Sequence, residues 1–577
     1  MGKLSTAIFV LVGNSAVSQF YFNELIDLSG PLPEVYRSLD YNPIDSSIFV
    51  LGASTTINPI LFRFKNDFIV LDTAMVECNS SGIQYYTGFE SGVFLDNFNK
   101  VVIPGQMAYS GSNASGIIFK TGSSGDTIWT KESGGGGAFL DGLASGIQDS
   151  DSTYVFAGHS ESIPTTNTNA WLIKTDTAGN IVWQNTYGGS AFDLALNMDT
   201  TLDGGYILCG YSNSGFGAGG NDIYLVKTDI NGNMAWNKWY GISDSDAGFV
   251  KTLPTGNYLI YGYNQFSDPD WPMNKAIHAV LMELDENGDQ IWIKYFMNTD
   301  SASDSFYQND EMFYAAEIVS DGIVLCGFSA DSVDNVPLGW ILKTDFEGNQ
   351  LWSRRYRKRN DDNYLQDVVE VPGGDLVFCG FVAADLPGET QDGWLLRTNC
   401  LGFDQPPIAA GYAFSDDGNT VILDNNSQFF GNCIIDWGDG FMSNVSEFDD
   451  TLVSHPYATA GNYDIEITAI ACNDTSIIIV LATATAVGIK ETEESTFDIY
   501  PNPADETVTV RFKNISNEQT KISIVNLSGQ IVHEQFVSDI PTAIETVKLD
   551  VSQFASGTYV VRIMNLQGVL TRKLVIE

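Results

Sequence analysis

Apolar residues along this chain come in short bursts with polar residues alternating between them, and the bursts recur. One burst ends in glycine and reads FVLGAS, VIPGQM, FAGHS, LCGYS, IYGYN, LCGFS and FCGFV, with its glycines at Gly52, Gly105, Gly158, Gly210, Gly262, Gly327 and Gly380. Successive gaps are 53, 53, 52, 52, 65 and 53 residues, so seven units are present. The long gap marks an insertion of about 12 residues near Asn298–Asn309. Within a unit the alternation has period two. The fourth unit reads FDLALNM, GYILCGYS, DIYLVKTD and NMAWNKWY, four segments rich in β-branched and aromatic residues and bounded by turn formers. No segment in these units keeps a helical period.

Four strands repeated seven times predict a seven-bladed β-propeller over residues 20–402, the other reading being an open solenoid. The last two strands of a unit are joined by a stretch such as KTDTAGN. There Asp176 can bond the backbone of its own turn and Gly179 can take a positive φ, and Asp229/Gly232, Asp285/Gly288 and Asp345/Gly348 repeat the device. The seventh unit keeps GWLLRTN (Gly393–Asn399) but lacks a fourth strand. FYFNELIDL (Phe20–Leu28) is placed to supply it and close the ring. Trp129, Trp183, Trp236, Trp292 and Trp352 share one slot of the repeat, as packing residues between units should. Cys209, Cys326 and Cys379 share the slot before the glycine and read as small buried apolar residues.

The totals narrow the function. The chain has 577 residues, 72 acidic against 28 basic, for a formal charge of −44. That charge repels a phosphate backbone, so nucleic acid is not an expected partner. No later segment is long and apolar enough to span a bilayer; IIIVLATATAV (Ile477–Val487) reads as a buried strand. Residues 1–18 read as an export signal, with Lys3, the apolar core Ala7–Gly13, and Ala16 and Ser18 placed for cleavage before Gln19. An exported chain can form disulfides, and seven cysteines leave at least one unpaired.

The repeat stops at GFDQPPIAAG (Gly402–Gly411), and two further β-rich segments follow. The first carries CIIDWGDGFMSN and HPYATAGNYDIEITAIAC. Through Trp437, Gly438, Asp439, Gly440, His455, Tyr457, Gly461, Tyr463 and the alternating Ile465 and Ile467, it resembles the PKD family. That implies an immunoglobulin-type β-sandwich over 407–487, acting as a spacer or weak binding module with no catalytic residue. Cys433 and Cys472, at two ends of that sandwich sequence, are expected to form a disulfide. After a polar linker, 488–496, come FDIYPNPADETVTV, ISIVNLSGQIV, LDVSQFASGTYVVRI and RKLVIE. Tyr500, Pro501, Asn502, Pro503, Gly529, Gly557, Tyr559 and the terminal Lys573–Ile576 run resemble the type A C-terminal sorting domain of the type IX secretion system. The resemblance covers 497–577. It implies a small β-sandwich, recognition by the type IX machinery of a Bacteroidota-type bacterium, and removal of the domain once the rest is on the cell surface or released.

No catalytic motif stands out. His159, His278, His455 and His533 are scattered, and no nucleophile elbow, phosphate loop or metal-binding histidine pair is present. DENGD (Asp285–Asp289) lacks the distant glutamate of a calcium loop. Neither a cofactor nor a metal is expected. Two functions remain open. One is a non-enzymatic surface protein binding a glycan or an extracellular protein, with Phe266, Trp271 and Phe306 as the binding aromatics because they depart from the repeat on variable loops. The other is a propeller hydrolase or lyase acting on polysaccharide through Asp141, Asp193, Asp246 and Asp362, expected to line the central channel as carboxylate pairs.

Overall fold

A computed structural model describes residues 22–26, 34–484 and 497–577, less 55–58, 66–69, 76–83, 87–91, 109–113, 136–138, 164–166, 215–219, 242–244, 268–274, 297–309, 331–335, 384–390, 416–418, 448, 450, 514–519, 527–529, 538–543 and 566–567. The export signal, the 488–496 linker, Trp271, Phe306 and Gly529 lie outside the described residues. The chain divides into two compact units: residues 1–414 with 421–455 and 462–483, and residues 415–420, 456–461 and 484–577.

In the first unit the repeats become seven antiparallel sheets. The fourth runs Asp193–Thr200, Tyr206–Ser212, Asp222–Thr228, Met234–Tyr240, one strand for each apolar segment of its sequence. Six sheets have four strands. The second has five, because Gln84–Tyr86 and Phe94–Leu95 both pair with Val101–Ala108. Each sheet buries its faces against its neighbours. Val155, Leu172 and Tyr187 of the third pack on Met198, Leu208 and Tyr224 of the fourth, and equivalent clusters join every adjacent pair. The last cluster brings Val377, Cys379 and Leu395 of the seventh sheet onto Tyr36, Val50 and Phe62 of the first. The arrangement is propeller-like and closed.

Closure is made by the other end of the chain. The seventh sheet consists of Asn363–Glu370, Leu376–Val382 and Asp392–Thr398, and its outer strand is Phe22–Ile26, with Phe22 opposite Arg397 and Ile26 opposite Gly393. Asn23 fastens it: the Trp394 indole donates to Asn23 Oδ1 at 2.9 Å and Asn23 Nδ2 donates to Asp404 at 2.9 Å. Lys358 Nζ donates to the Asn23 carbonyl.

Three local devices explain the repeat. At Gly158, Gly210, Gly327 and Gly380 a Cβ would overlap the carbonyl oxygen of Gly142, Leu194, Met312 or Tyr364 on the inner strand. Beside each of these glycines the inner strand carries a register shift, between Leu143/Ser145, Ala195/Asn197, Phe313/Ala315 and Leu365/Asp367. At these four positions the repeated glycine is the space a bulge occupies. In the turns, Asp176 Oδ1 accepts the N–H groups of Ala178 and Asn180, and Gly179 sits at φ +78°. Finally, Trp129 covers Gly179, Trp183 covers Gly232, Trp236 covers Gly288, Trp292 covers Gly348 and Trp352 covers Gly402, each 2.6–2.9 Å from where a Cβ would stand. From the third unit to the seventh, the turn is the socket for the tryptophan of the unit before.

The lysine of each KTD motif, with its counterpart in the KTG of the second unit, is also structural. Lys120, Lys174, Lys227 and Lys343 pair with Asp96, Asp149, Asp203 and Asp321, and Arg397 pairs with Asp375, at 2.6–2.8 Å. In the fifth unit Glu283 takes that slot, accepting from Asn257 and the Trp292 indole at 2.6 Å. The cysteines Cys209, Cys326 and Cys379 are thiols outside the disulfide, buried in the clusters between sheets.

Beyond Phe403 the first unit continues with two more sheets, Gly411–Ser415/Thr420–Asn425/Leu452–Pro456 and Met442–Ser446/Asn432–Asp436/Gly461–Ala471/Asp474–Ala484. Trp437 is fully buried, its indole donates to Ser443 at 2.9 Å, and its ring stacks on His455, whose Nε2 lies 2.8 Å from Asp439. The turn that follows uses positive φ at Gly438 and Gly440. Cys433 does not bond Cys472. It is free and buried on a central strand opposite Ala469, with its side chain in the core, whereas Cys472 stands in the hairpin beyond that strand and bonds Cys400, at the end of the seventh sheet. The same joint holds Arg354 against Glu447 at 2.9 Å and over the Phe403 ring at 4.3 Å, and Asn473 Nδ2 donating to the Gly373 carbonyl at 2.6 Å. Ile477–Leu481 is a strand, as its composition requires, but at a sheet edge with Ile477, Ile479 and Leu481 exposed rather than buried.

In the second unit Val508, Val510, Ile522, Ile524, Val561 and Leu574 form the core of two small sheets. Tyr500, Pro501, Asn502 and Pro503 are exposed, with cis bonds at Tyr500–Pro501 and Asn502–Pro503. Asn502 fastens this turn to the last strand, donating to the Lys573 carbonyl at 2.7 Å and accepting Val575 N–H at 2.8 Å. Gly557 opens a strand, and Tyr559 donates to the Ala555 carbonyl at 2.8 Å.

Candidate functional site

Three of the four aspartates expected to line a channel, Asp141, Asp193 and Asp246, are fully buried instead. Asp141 is fully buried and accepts Ser160 Oγ at 2.6 Å and the N–H groups of Gly135, Glu161 and Ser162. Burial alone would raise its carboxyl. The donors of Ser160, Gly135 and Ser162 together hold it below the usual carboxylate range. Asp193 accepts hydrogen bonds from Ser212, Ser214 and Gly189 N–H, and Asp246 accepts Gln265 N–H. These are clamps on the loops that leave each second strand. In the seventh unit the equivalent residue is Asn363, while Asp362 stands one residue earlier and accepts Tyr364 Oη at 3.0 Å. A carboxylate with several fixed donors is a poor proton donor or nucleophile.

A second set of ionisable groups converges from the later halves of the inner strands. Asp367 accepts Leu39 N–H at 3.0 Å and Ser38 Oγ at 2.8 Å, joining the seventh sheet to the first. Asp40 accepts Leu95 N–H at 2.8 Å, joining first to second, and Asp199 accepts Thr252 N–H at 2.8 Å, joining fourth to fifth. Lys251 reaches Glu317 at 3.3 Å. Their charges act on one another across the ring. Burial raises the Asp40 carboxyl to about 6; the N–H groups of Leu95 and Tyr41 oppose this, while the charges of Asp367 and Glu317 add to it. Burial likewise raises Asp199 and Asp367. Burial works against the Lys251 charge, but Glu317, Asp199 and Asp367 outweigh it and hold the ammonium above its ordinary range.

Toward the start of the inner strands the lining changes from charge to rings. The residue after each repeat glycine varies: Ala53, Gln106, His159, Tyr211, Tyr263, Phe328 and Phe381. On the sixth and seventh sheets the rings form one run. Tyr314 meets Phe328 at 6.0 Å, Phe328 meets Tyr364 at 5.1 Å, and Tyr364 meets Phe381 at 5.0 Å. Arg37 of the first sheet lies over Phe381 at 5.3 Å and donates to Gln366 at 2.9 Å. Phe192 stacks on Tyr211 at 6.1 Å on the fourth sheet. Tyr211, Tyr314, Tyr364 and Phe381 are half-buried, each keeping part of its surface open to solvent. His159 packs over Gly142, and burial, against the pull of Asp141, lowers it to about 4, so the imidazole is neutral at physiological pH. Sequence reading passed over this set because the eye follows the repeated glycine. The signal was the bulky, non-repeating residue beside it.

Of the three aromatics expected to bind, Phe266 is described. It is half-buried at the end of Tyr258–Ser267, 4.9 Å from His278 and 5.4 Å from Tyr295. Among the described residues no group of three or more His, Cys, Asp or Glu is arranged to hold a metal ion, and no helix is long and apolar enough to cross a membrane.

Residues 498–577 match the secretion system C-terminal sorting domain. The protein is exported. Its sorting domain engages the type IX machinery and delivers a secreted or surface-attached protein. No curated protein matches the chain. Solved structures similar to it include a protein of unknown function from Bacteroides caccae (9% identity, 56% of this chain and 94% of that one, TM-score 0.32). Another is a protein of unknown function from Dyadobacter fermentans (12% identity, 55% and 99%, TM-score 0.36). A third is a polysaccharide lyase, an ulvan lyase (7% identity, 66% and 96%, TM-score 0.41).

Proposed function

We propose that this is a non-enzymatic binding protein of the bacterial surface, in which a seven-bladed β-propeller engages an extracellular glycan at the aromatic end of its inner strands. A PKD-like sandwich is fixed to the propeller as a spacer, and the sorting domain is removed after export. The observation that carries the reading is the run Tyr314–Phe328–Tyr364–Phe381 ending under Arg37. Aromatic faces offer stacking area to the apolar faces of sugar rings, and a guanidinium supplies bidentate donors to hydroxyl or carboxylate oxygens. The clamped state of Asp141, Asp193 and Asp246 supports binding over chemistry. Phe266, which meets His278 and Tyr295 on the fifth sheet, would offer a further ring, and Trp271 and Phe306 stay candidate binding aromatics from the sequence.

A glycan array probed with the full chain tests this. Tyr364→Ala is expected to weaken binding at least tenfold while the melting temperature stays within a few degrees. Undiminished binding by that variant places the ligand elsewhere. A second reading, a polysaccharide hydrolase or lyase, is supported by the setting of Asp40, where burial and the charges of Asp367 and Glu317 raise the carboxyl to about 6, within the range a general acid uses. Release of reducing ends or unsaturated sugars by the parent chain and its loss in Asp40→Asn would select it.

A further inference from the structure

The sheet Met442–Ser446/Asn432–Asp436/Gly461–Ala471/Asp474–Ala484 ends on one side in a strand of five residues and on the other in a strand of eleven. Among the described residues nothing pairs with the outer side of Asp474–Ala484. From Thr475 to Val487 the chain carries no charge and no proline. Ala482 and Ala484 face the core, while Ile477, Ile479 and Leu481 on the opposite face are 58%, 62% and 64% exposed. Sheet edges are normally blunted by charge, proline, a bulge or short length, and beyond Asp474 this strand carries neither charge nor proline over ten residues.

We propose that Asp474–Ala484 is an interface strand that pairs with the same strand of a second copy, antiparallel, about a two-fold axis through Ile479. Charge selects the occupant. A cationic partner would be drawn to the carboxylates that dominate the rest of the surface. A second chain of formal charge −44 can approach only where neither copy presents charge, and this strand is such a place. The two-fold register sets Ile479 against Ile479, Ile477 against Leu481, Thr475 against Thr483 and Asp474 against Ala484, so no carboxylate faces another and the exposed apolar side chains cover one another. Each strand begins two residues after Cys472, which is bonded to Cys400 of its own ring. Antiparallel pairing therefore sets the two rings at opposite ends of the shared ladder, about 35 Å apart at roughly 3.4 Å per residue. Such an interface is isologous and closes at two copies.

Light scattering coupled to size-exclusion chromatography on the full chain, at tens of micromolar, tests this. The expected mass is twice the 63.0 kDa of one chain, and it should rise further toward the dimer as salt screens the repulsion. Ile479→Lys sets two ammonium groups face to face; its mass should halve while circular dichroism and melting stay those of the parent. Ile479→Cys should cross-link to a dimer under oxidation, whereas Thr483→Cys, eight residues from its partner position, should not. A single-chain mass for the parent, a dimer that survives Ile479→Lys, or cross-linking at Thr483→Cys would overturn the proposal.

Discussion

Removing Phe22–Ile26 should open the ring. The segment contributes an antiparallel ladder along Gly393–Arg397, and its Leu25 packs on the cluster shared by the sixth and seventh sheets. Its most specific contact is Asn23, the acceptor for the indole of Trp394, which is 0% exposed. Asn23→Ala alone leaves that buried N–H without its partner, at a cost of about 1–3 kcal/mol. Deleting the whole strand adds the ladder bonds, each worth about 1 kcal/mol net, and the half-burial of Leu25, about 1 kcal/mol. Against this stands the recovered freedom of five residues, about 1–2 kcal/mol each. The ledger predicts a modest equilibrium loss for the deletion. The larger effect is kinetic and colloidal, since the outer edge of Asp392–Thr398 is left open to other chains. The deletion should melt earlier by several degrees and elute in aggregates, Asn23→Ala should melt earlier but remain monodisperse, and a synthetic FNELIDL peptide should restore both properties to the deletion by adding back the strand. Parental melting and elution for the deletion, with no response to peptide, would show that the strand is not part of the seventh sheet.

Three more expectations follow from the geometry. Asp40 is raised from 3.8 to about 6 in the fold, so its protonated form is favoured there; that contribution is complete below about pH 4 and lost as pH rises through about 6. Asp40→Asn should therefore abolish this part of the pH dependence and stabilise the protein at pH 7.5 by up to about 3 kcal/mol, and a loss of stability at that pH would show that the Leu95 and Tyr41 bonds outweigh burial. Non-reducing peptide mapping should recover Cys400 joined to Cys472 and Cys433 as a free thiol; Cys472→Ser should cost about 2–4 kcal/mol, since the bond closes 72 residues, and should loosen the joint at Arg354 and Glu447, seen as faster amide exchange. Gly210→Ala puts a methyl onto the Leu194 carbonyl and should cost about 3 kcal/mol by thermal unfolding, whereas Gly204→Ala, with open space around it, should be limited to the strain of its positive φ.

What could be read from the sequence was what depends on near neighbours. The Asp–Gly turns are local, so Asp176 and Gly179 announce their geometry within five residues. The repeat glycine announces itself by spacing, yet its reason, a carbonyl pressed in by a bulge on another strand, belongs to a neighbour across the sheet. Asp141 looked like chemistry because its donors come from Gly135, Ser160 and Ser162, on separate loops that no pattern links to it. Cys472 was assigned a partner within its own segment because a bond that crosses from one β region to the next leaves no trace in spacing. Ile477–Leu481 was read as buried because an apolar run has the same composition at a sheet edge as in its middle. The aromatic run was hidden for the opposite reason: it is where the repeat stops repeating.

The tryptophan sockets bear on how such a ring came to exist. The second to sixth units carry a knob on the outer strand, and each knob enters the hollow over the turn glycine of the next unit, from Trp129 in Gly179 to Trp352 in Gly402. A unit copied in tandem arrives with both halves of the fitting, so the seam it makes with its parent and the seam its parent had already made are the same seam. Duplication then lengthens the circumference without inventing a contact, and divergence is free to act on the residue beside each glycine, where the copies have already gone separate ways as Gln106, His159, Tyr211 and Phe381.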